Sequence, residues 1–173
     1  MDVQIRKIAW GAPKNIIAYH STKVGGWSSG AFESSNMSLD VGDNPKDVKK
    51  NRDSIIKQLD LKSKPVFMKQ IHSATVRVAK SSSDNLVCDS CYTTVKGLPL
   101  AVLSADCLPI LISSNDGNKI GVIHAGWRGL ASGIIQKFLK RFAIDPKDIV
   151  VYIGPSINPE NYIIREDVFN KLS

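Results

Sequence analysis

The stretch from Pro99 to Ala125 constrains the fold more than any other part of the chain. Three apolar runs, PLAVLS (99–104), LPILISS (108–114) and KIGVIHA (119–125), follow one another with short connections. A strand with one wet face alternates apolar and polar residues. These runs are apolar almost throughout, which predicts strands buried on both faces. NDGN (115–118) joins the second run to the third and is a strong hairpin signal, because Asp-Gly accepts the positive φ of a tight turn. A helical pattern follows from about 127 to 142, with Leu130, Ile134, Phe138 and Phe142 on one side. Asp145-Pro146 ends it, and IVVYIG (149–154) returns as a strand. Segment 119–154 therefore reads as a β-α-β unit with parallel strands and a right-handed crossover. The fold class expected is an α/β (α+β) sandwich of mixed β-sheets with flanking helices.

Upstream, IIAYHST (16–22) reads as a strand entering KVGGWSSGAF, where Gly25, Gly26 and Gly30 mark a flexible loop. Asn44-Pro45 opens a helix: Asn44 suits the N-cap, Pro45 the first turn, and Asp47 the positive end of the helix dipole. Val48, Ile55, Ile56 and Leu59 share a face, and the helix stops near Leu61. VFMKQIH (66–72) and ATVRVAK (74–80) alternate, and are expected to pair with each other. A last helix begins in REDVFNKLS (165–173).

Composition excludes several classes. The 173 residues, 43% of them apolar, suit a single domain spanning 1–173 with a real core. MDVQIRKIAW lacks the apolar run of a signal peptide, and no run is long enough to cross a bilayer, so the expected location is the cytoplasm. Much of the net charge of +7 lies between Lys46 and Lys69, interleaved with Asp47, Asp53 and Asp60. That describes a solvated helix face with a basic loop, or a surface that attracts phosphate. Aromatics are 7% and do not alternate with the basic residues, which argues against a platform for nucleic acid. Three cysteines in a chain without a secretion signal argue against a disulfide framework. CDSC (88–91) has metal-knuckle spacing, but it has no second such pair and no nearby histidine; Cys88 and Cys91 read as ordinary residues in or near a strand.

The chain has three histidines. His20 lies inside a strand pattern; His72 and His124 end strands, and Cys107 sits where the 99–104 run gives way to the next. Strand ends are where loops converge to build sites. His72, Cys107 and His124 would make a zinc shell of two imidazoles and a thiolate with a fourth position open. Their sequence spacing is not that of a zinc finger, so the fold must assemble it. Two other readings stay open: hydrogen-bonded strand-end histidines beside a small buried thiol, and Cys107 as a nucleophile with His124 as its base. Asp106, next to Cys107, could orient a histidine or carry a proton, or be a solvated loop residue. Arg128 and Arg52 are candidates for phosphate, or for structural caps.

QIHSATV (70–76), AVLSADCLPILI (101–112) and GVIHAGWRGL (121–130) resemble the three signature blocks of the YfiH family, the laccase-domain or polyphenol-oxidase-like group of purine nucleoside phosphorylases. KVGGWSSGAFESSNMSLDVGDNPKDVKKNR (23–52) is similar to that family's N-terminal block. The resemblance covers residues from about 16 to 165. It implies one zinc held by His72, Cys107 and His124, with Asn36, Arg52, Gln70 and Asp106 at motif positions near the site. It implies small-molecule partners, a purine nucleoside and phosphate. Adenosine, inosine and methylthioadenosine would be converted to free base and sugar 1-phosphate, and adenosine would also be deaminated, with Asp106 carrying the proton that attack at C6 requires. An older reading of the family as copper-dependent phenol oxidases fits less well, since multicopper centres need many histidines. Two departures stand out. Family chains are usually longer, so the family's C-terminal part is expected to be missing; and after GPSI (154–157) the family's Cys-Cys-Tyr stretch is replaced by NPENY (158–162), keeping only Tyr162. A non-enzymatic alternative is a zinc-stabilised module whose basic helix meets an anionic partner, recognisable by salt-dependent binding without turnover. The sequence sets no oligomeric state.

Overall fold

The computed structural model describes residues 2–163 and 166–172. In chain order its elements are β1 (Ile5–Lys7), β2 (Tyr19–Ser21), α1 (Pro45–Gln58), β3 (Val66–Phe67), β4 (Val76–Val78), β5 (Ser90–Thr93), β6 (Leu100–Ala101), β7 (Leu108–Ser114), β8 (Ile120–Ala125), α2 (Trp127–Ala131), α3 (Ile134–Phe142), β9 (Ile149–Ile153) and α4 (Glu166–Leu172). The expected last helix is α4; Arg165 and Ser173 of that stretch lie outside the described residues.

The hairpin at NDGN forms as the sequence predicts. β7 and β8 pair antiparallel from Leu108↔Ala125 to Ser113↔Ile120, and Gly117 takes φ +67. They lie inside a five-stranded sheet of order β4-β5-β8-β7-β9, in which only the β4–β5 pair is parallel. β8 and β9 both run antiparallel to β7, so the β-α-β unit has parallel strands with β7 between them.

Both faces of this sheet are covered. On one, Ile134, Phe138 and Phe142 of α3, spaced four residues apart, pack on Val76, Ile110, Ile112, Ile123 and Ala125. Each fully buried phenylalanine contributes about 1.5–3 kcal/mol of transfer free energy. The approach is so close that a Cβ on Gly121 would lie 2.4 Å from Phe138 Cζ. On the other face, Leu111 and Val122 pack with Cys88, Cys91, Met68 and Leu100, the last on a small parallel β3–β6 sheet. This is the mixed α/β sandwich expected.

Several local expectations are corrected. The helix expected over 127–142 is two helices, because Gly133 adopts the left-handed conformation (φ +75) between them. The 66–72 and 74–80 runs do not pair with each other: β3 pairs with β6 and β4 with β5, since a single residue between the runs cannot turn the chain back. The 99–104 run keeps only the two-residue β6, half-buried rather than enclosed. The glycine-rich loop is not slack. A Cβ on Gly26 would lie 2.6 Å from Ser35 Cα and 2.8 Å from Asn51 Oδ1. α1 starts as expected, with the Asn44 side chain accepting from Lys46 N–H. Its buried face, however, is Val48, Asn51 and Ser54, whereas Ile55, Ile56 and Leu59 are half-buried. Asn51 is fully buried because its amide holds that loop, accepting from Trp27 N–H and donating to Ser28 Oγ and Asn36 O. No helix among the described residues is long and apolar enough to cross a membrane.

Candidate metal centre

Three strand ends meet on one edge of the five-stranded sheet. His124 is the penultimate residue of β8, and its backbone N–H donates to Asp89 O at 2.7 Å, extending the β5–β8 ladder past Ser90↔Ile123. Asp89 in turn donates through its backbone to Thr75 O, which brings the 71–75 loop alongside. Cys107 immediately precedes β7, next to the strand that carries His124.

The structure brings the sequence-predicted trio together. The candidate ligand atoms of His72, Cys107 and His124 all lie within 4.8 Å of one another. The two imidazoles meet edge to face, with centroids 4.9 Å apart. His124 is buried, Cys107 half-buried and His72 exposed, so the cluster opens to solvent on the His72 side. His72 does not end a strand in extended form. It adopts φ +57, a left-handed conformation that costs a non-glycine residue about 1–2 kcal/mol.

The glycines of GVIHAGWRGL serve space rather than backbone freedom. Gly126 has φ −72, open to any residue, but a Cβ there would lie 3.0 Å from Cys107 Sγ and 3.2 Å from His72 Cδ2. A Cβ on Gly129 would lie 3.0 Å from Ser73 O. The absent side chains leave room for the cluster and for the loop that carries His72.

Asp89, which sequence reasoning passed over, is the group most engaged with the cluster. It is fully buried, and its Oδ1 lies 2.9 Å from His124 Nδ1. The same carboxylate accepts from the backbone N–H groups of Ile71 (3.3 Å), His72 (2.9 Å) and Ser73 (2.6 Å) and from Ser73 Oγ (2.8 Å). Burial pushes its pKa up, but the hydrogen bonds from His124, Ser73 and His72 outweigh that and hold it at about 2. A usable signal was present in CDSC: an acidic residue between buried cysteines has to be paired. The cysteines themselves are free and buried, with thiols pushed up to about 11 for Cys88 and about 12 for Cys91, chiefly by burial.

The other candidates are distributed as follows. Gln70 is engaged at both ends of its amide: Nε2 donates to Leu103 O and Oε1 accepts from Leu103 N–H, each at 2.8 Å. It thereby ties the His72 loop to the Cys107 loop. Asp106 is exposed beside Cys107, and its backbone O accepts from Ile157 N–H. Burial, then Asp106 and Asp89, raise the Cys107 thiol pKa. Arg128 is exposed, with its guanidinium 4.2 Å from the Trp127 ring centroid. Asn36 and Arg52 make their hydrogen bonds around the glycine-rich loop. Asn36 Nδ2 donates to Asp43 Oδ2, while Arg52 donates twice to Met37 O and stacks 3.8 Å over Phe67. Burial lowers the Arg52 pKa, partly offset by Asp40.

The fold and the cluster define a mixed α/β domain with a candidate centre for a single metal ion. The chain belongs to the family described as multi-copper polyphenol oxidoreductase laccase, whose model matches residues 17–173. It is 39% identical over 162 residues to a Haemophilus influenzae protein named purine nucleoside phosphorylase, covering 94% of this chain and 66% of that one. It is 34% identical over 160 residues to purine nucleoside phosphorylase YfiH of Escherichia coli, covering 92% and 66%. The crystal structure of a Neisseria meningitidis protein of the DUF152 family superposes with TM-score 0.87 at 33% identity, covering 96% of this chain and 69% of that one. YlmD from Geobacillus stearothermophilus superposes with TM-score 0.84 at 36% identity, covering 94% and 66%. The chain thus spans 66% of the length of the first two relatives.

Proposed function

We propose that this protein is a zinc-dependent purine nucleoside phosphorylase of the cytoplasm. It converts adenosine, inosine or methylthioadenosine with phosphate to free base and sugar 1-phosphate, and deaminates adenosine as a second activity. The observation that carries this reading is the convergence of His72, Cys107 and His124 around the space left by Gly126, in a chain whose relatives are named purine nucleoside phosphorylases. Two imidazoles, one thiolate and an open fourth position are the donor pattern of catalytic zinc. The same donors serve mononuclear copper. A multicopper centre, however, needs more imidazoles than the three histidines in the chain.

When bound, the zinc supplies Lewis acidity to a substrate oxygen or nitrogen. In this reading the chain's own groups do the rest. Asp106, exposed beside Cys107, moves the proton at the reacting centre. Arg128, exposed in the first turn of α2 two residues after Gly126, takes phosphate. Gln70 keeps the two ligand-bearing loops at a fixed separation. Asn36 and Arg52, which make their hydrogen bonds around the glycine-rich loop, contribute to nucleoside or phosphate binding. The test is incubation with adenosine, with and without phosphate, followed by separation of products. Adenine appearing only with phosphate, and inosine with ammonia in either case, are expected. Release of neither base nor ammonia from metal-replete protein overturns the reading.

One observation favours a second reading. Asp89, His124 and Cys107 lie in the order of a carboxylate–imidazole–thiol relay. The two readings differ in whether the Cys107 thiolate is held by a metal or is free to attack. Alkylation separates the two: stoichiometric zinc that protects Cys107 from iodoacetamide eliminates the free nucleophile.

A further inference from the structure

We infer that Asp89 is the positioning residue of this centre: one buried carboxylate fixes both histidines, His124 through its ring and His72 through its backbone. The use of that arrangement rests on the metal-binding reading above; the arrangement itself does not.

The carboxylate oxygens divide the work. Oδ1 stands 2.9 Å from both His124 Nδ1 and His72 N–H. Oδ2 takes the Ser73 N–H and Ser73 hydroxyl, with Ile71 N–H at 3.3 Å. An ionised carboxylate only accepts hydrogen bonds, so the contact at Oδ1 requires the neutral His124 ring to carry its proton on Nδ1. Nε2 is then left with its lone pair for the ligand position it shares with Cys107 and His72. The tautomer is therefore written into the fold.

His72 is held differently. Three successive backbone N–H groups, of Ile71, His72 and Ser73, converge on one anion, which is the arrangement of a backbone nest. Nests commonly enclose an external anion. Here the anion belongs to a neighbouring strand end of the same chain, and it is fully buried. This convergence accounts for the left-handed φ of His72, an exposed non-glycine residue. Asp106, the carboxylate beside Cys107, makes no side-chain hydrogen bond among the described residues, so Asp89 alone occupies the orienting position.

The test begins with metal-free wild-type protein. Long-range 1H–15N NMR of the imidazoles at about pH 8 reads each tautomer directly. His124 is expected as a single tautomer with the proton on Nδ1. In Asp89→Asn the carboxamide cannot accept at both positions, and His124 is expected to populate both tautomers. Zinc affinity, read by competition with a chromophoric chelator, is expected to fall by about 10–100-fold. Ser73→Ala keeps the carboxylate and both Oδ1 contacts, and is expected to leave tautomer and affinity unchanged. A wild-type His124 carrying its proton on Nε2 overturns the inference, and so does an Asp89→Asn protein that keeps both tautomer and affinity. If Asp89→Asn does not fold, the wild-type tautomer decides alone. If the wild type binds no zinc but its Nδ1-protonated tautomer is lost in Asp89→Asn, the positioning role stands and the metal reading falls.

Discussion

The Oδ1 of Asp89 and the Nδ1 of His124 lie 2.9 Å apart in the interior of the protein, where the two side chains are 0% and 4% exposed. This contact joins the start of β5 to the end of β8 and engages Nδ1, which leaves Nε2 as the free ring nitrogen of His124 in the cluster with Cys107 and His72. The cluster therefore depends on pairing within the central sheet as much as on the residues that form it.

Gly126 carries the space that the cluster needs. Replacing it with alanine puts a Cβ 3.0 Å from Cys107 Sγ and 3.2 Å from His72 Cδ2. The backbone tolerates the change, and alanine in place of glycine at a helix N-cap costs under about 1 kcal/mol. Gly126→Ala is expected to fold with nearly unchanged thermal stability, while its zinc affinity falls on the order of 10-fold or more, as it does when ligand-orienting groups are disturbed. Chelator competition beside a thermal melt checks this. Wild-type affinity in the variant contradicts it.

Gly121 and Phe138 form a second test, this one of packing. A Cβ at position 121 would lie 2.4 Å from Phe138 Cζ, so Gly121→Ala overpacks the core and is expected to cost about 1–3 kcal/mol. Phe138→Leu alone leaves a void. Together the two changes are expected to be less destabilising than the sum of the singles, with a coupling of about 0.5 kcal/mol or more. Denaturant unfolding of the four proteins measures it, and strict additivity contradicts the close approach.

How much of this was legible beforehand follows from what each signal encodes. The β7–β8 hairpin and α3 were readable because NDGN and the spacing of Ile134, Phe138 and Phe142 are local. The partners of β3 and β4 were not, because alternation shows that a segment is a strand but not which edge it meets. Gly133 escaped notice inside an otherwise periodic helix. At the site, His72, Cys107 and His124 were found by residue type at strand ends. Asp89 carried a signal in CDSC, an acidic residue between two cysteines that needs a partner if buried, but the loop it organises lies on another segment and could not be read from that pattern. Gln70 was visible as a motif position, but its two-ended contact with Leu103 exists only in three dimensions.

The β7–β8 turn makes stability depend on acid. Hydrogen bonds from the Ser114 hydroxyl first, then from the Asn118 backbone and side chain, hold the Asp116 pKa at about 2, below the ordinary 3.8. A carboxylate held lower in the folded state contributes stability that is complete above its unfolded pKa and is lost as pH falls through its folded one. The contribution of Asp116 is thus expected to drain away between about pH 4 and about pH 2. Melting temperature followed across that window should fall less steeply in Asp116→Asn than in the wild type. Equal slopes contradict the assignment.

The central claim is that His72, Cys107 and His124 together hold one zinc ion. Elemental analysis of the purified protein and of His72→Ala, Cys107→Ser and His124→Ala, each after the same exhaustive dialysis, tests it most directly. The account predicts about one zinc per chain in the wild type and a small fraction of that in every variant. Zinc retained at the wild-type level in the variants, or a wild type that holds copper or no metal after zinc loading, would contradict it.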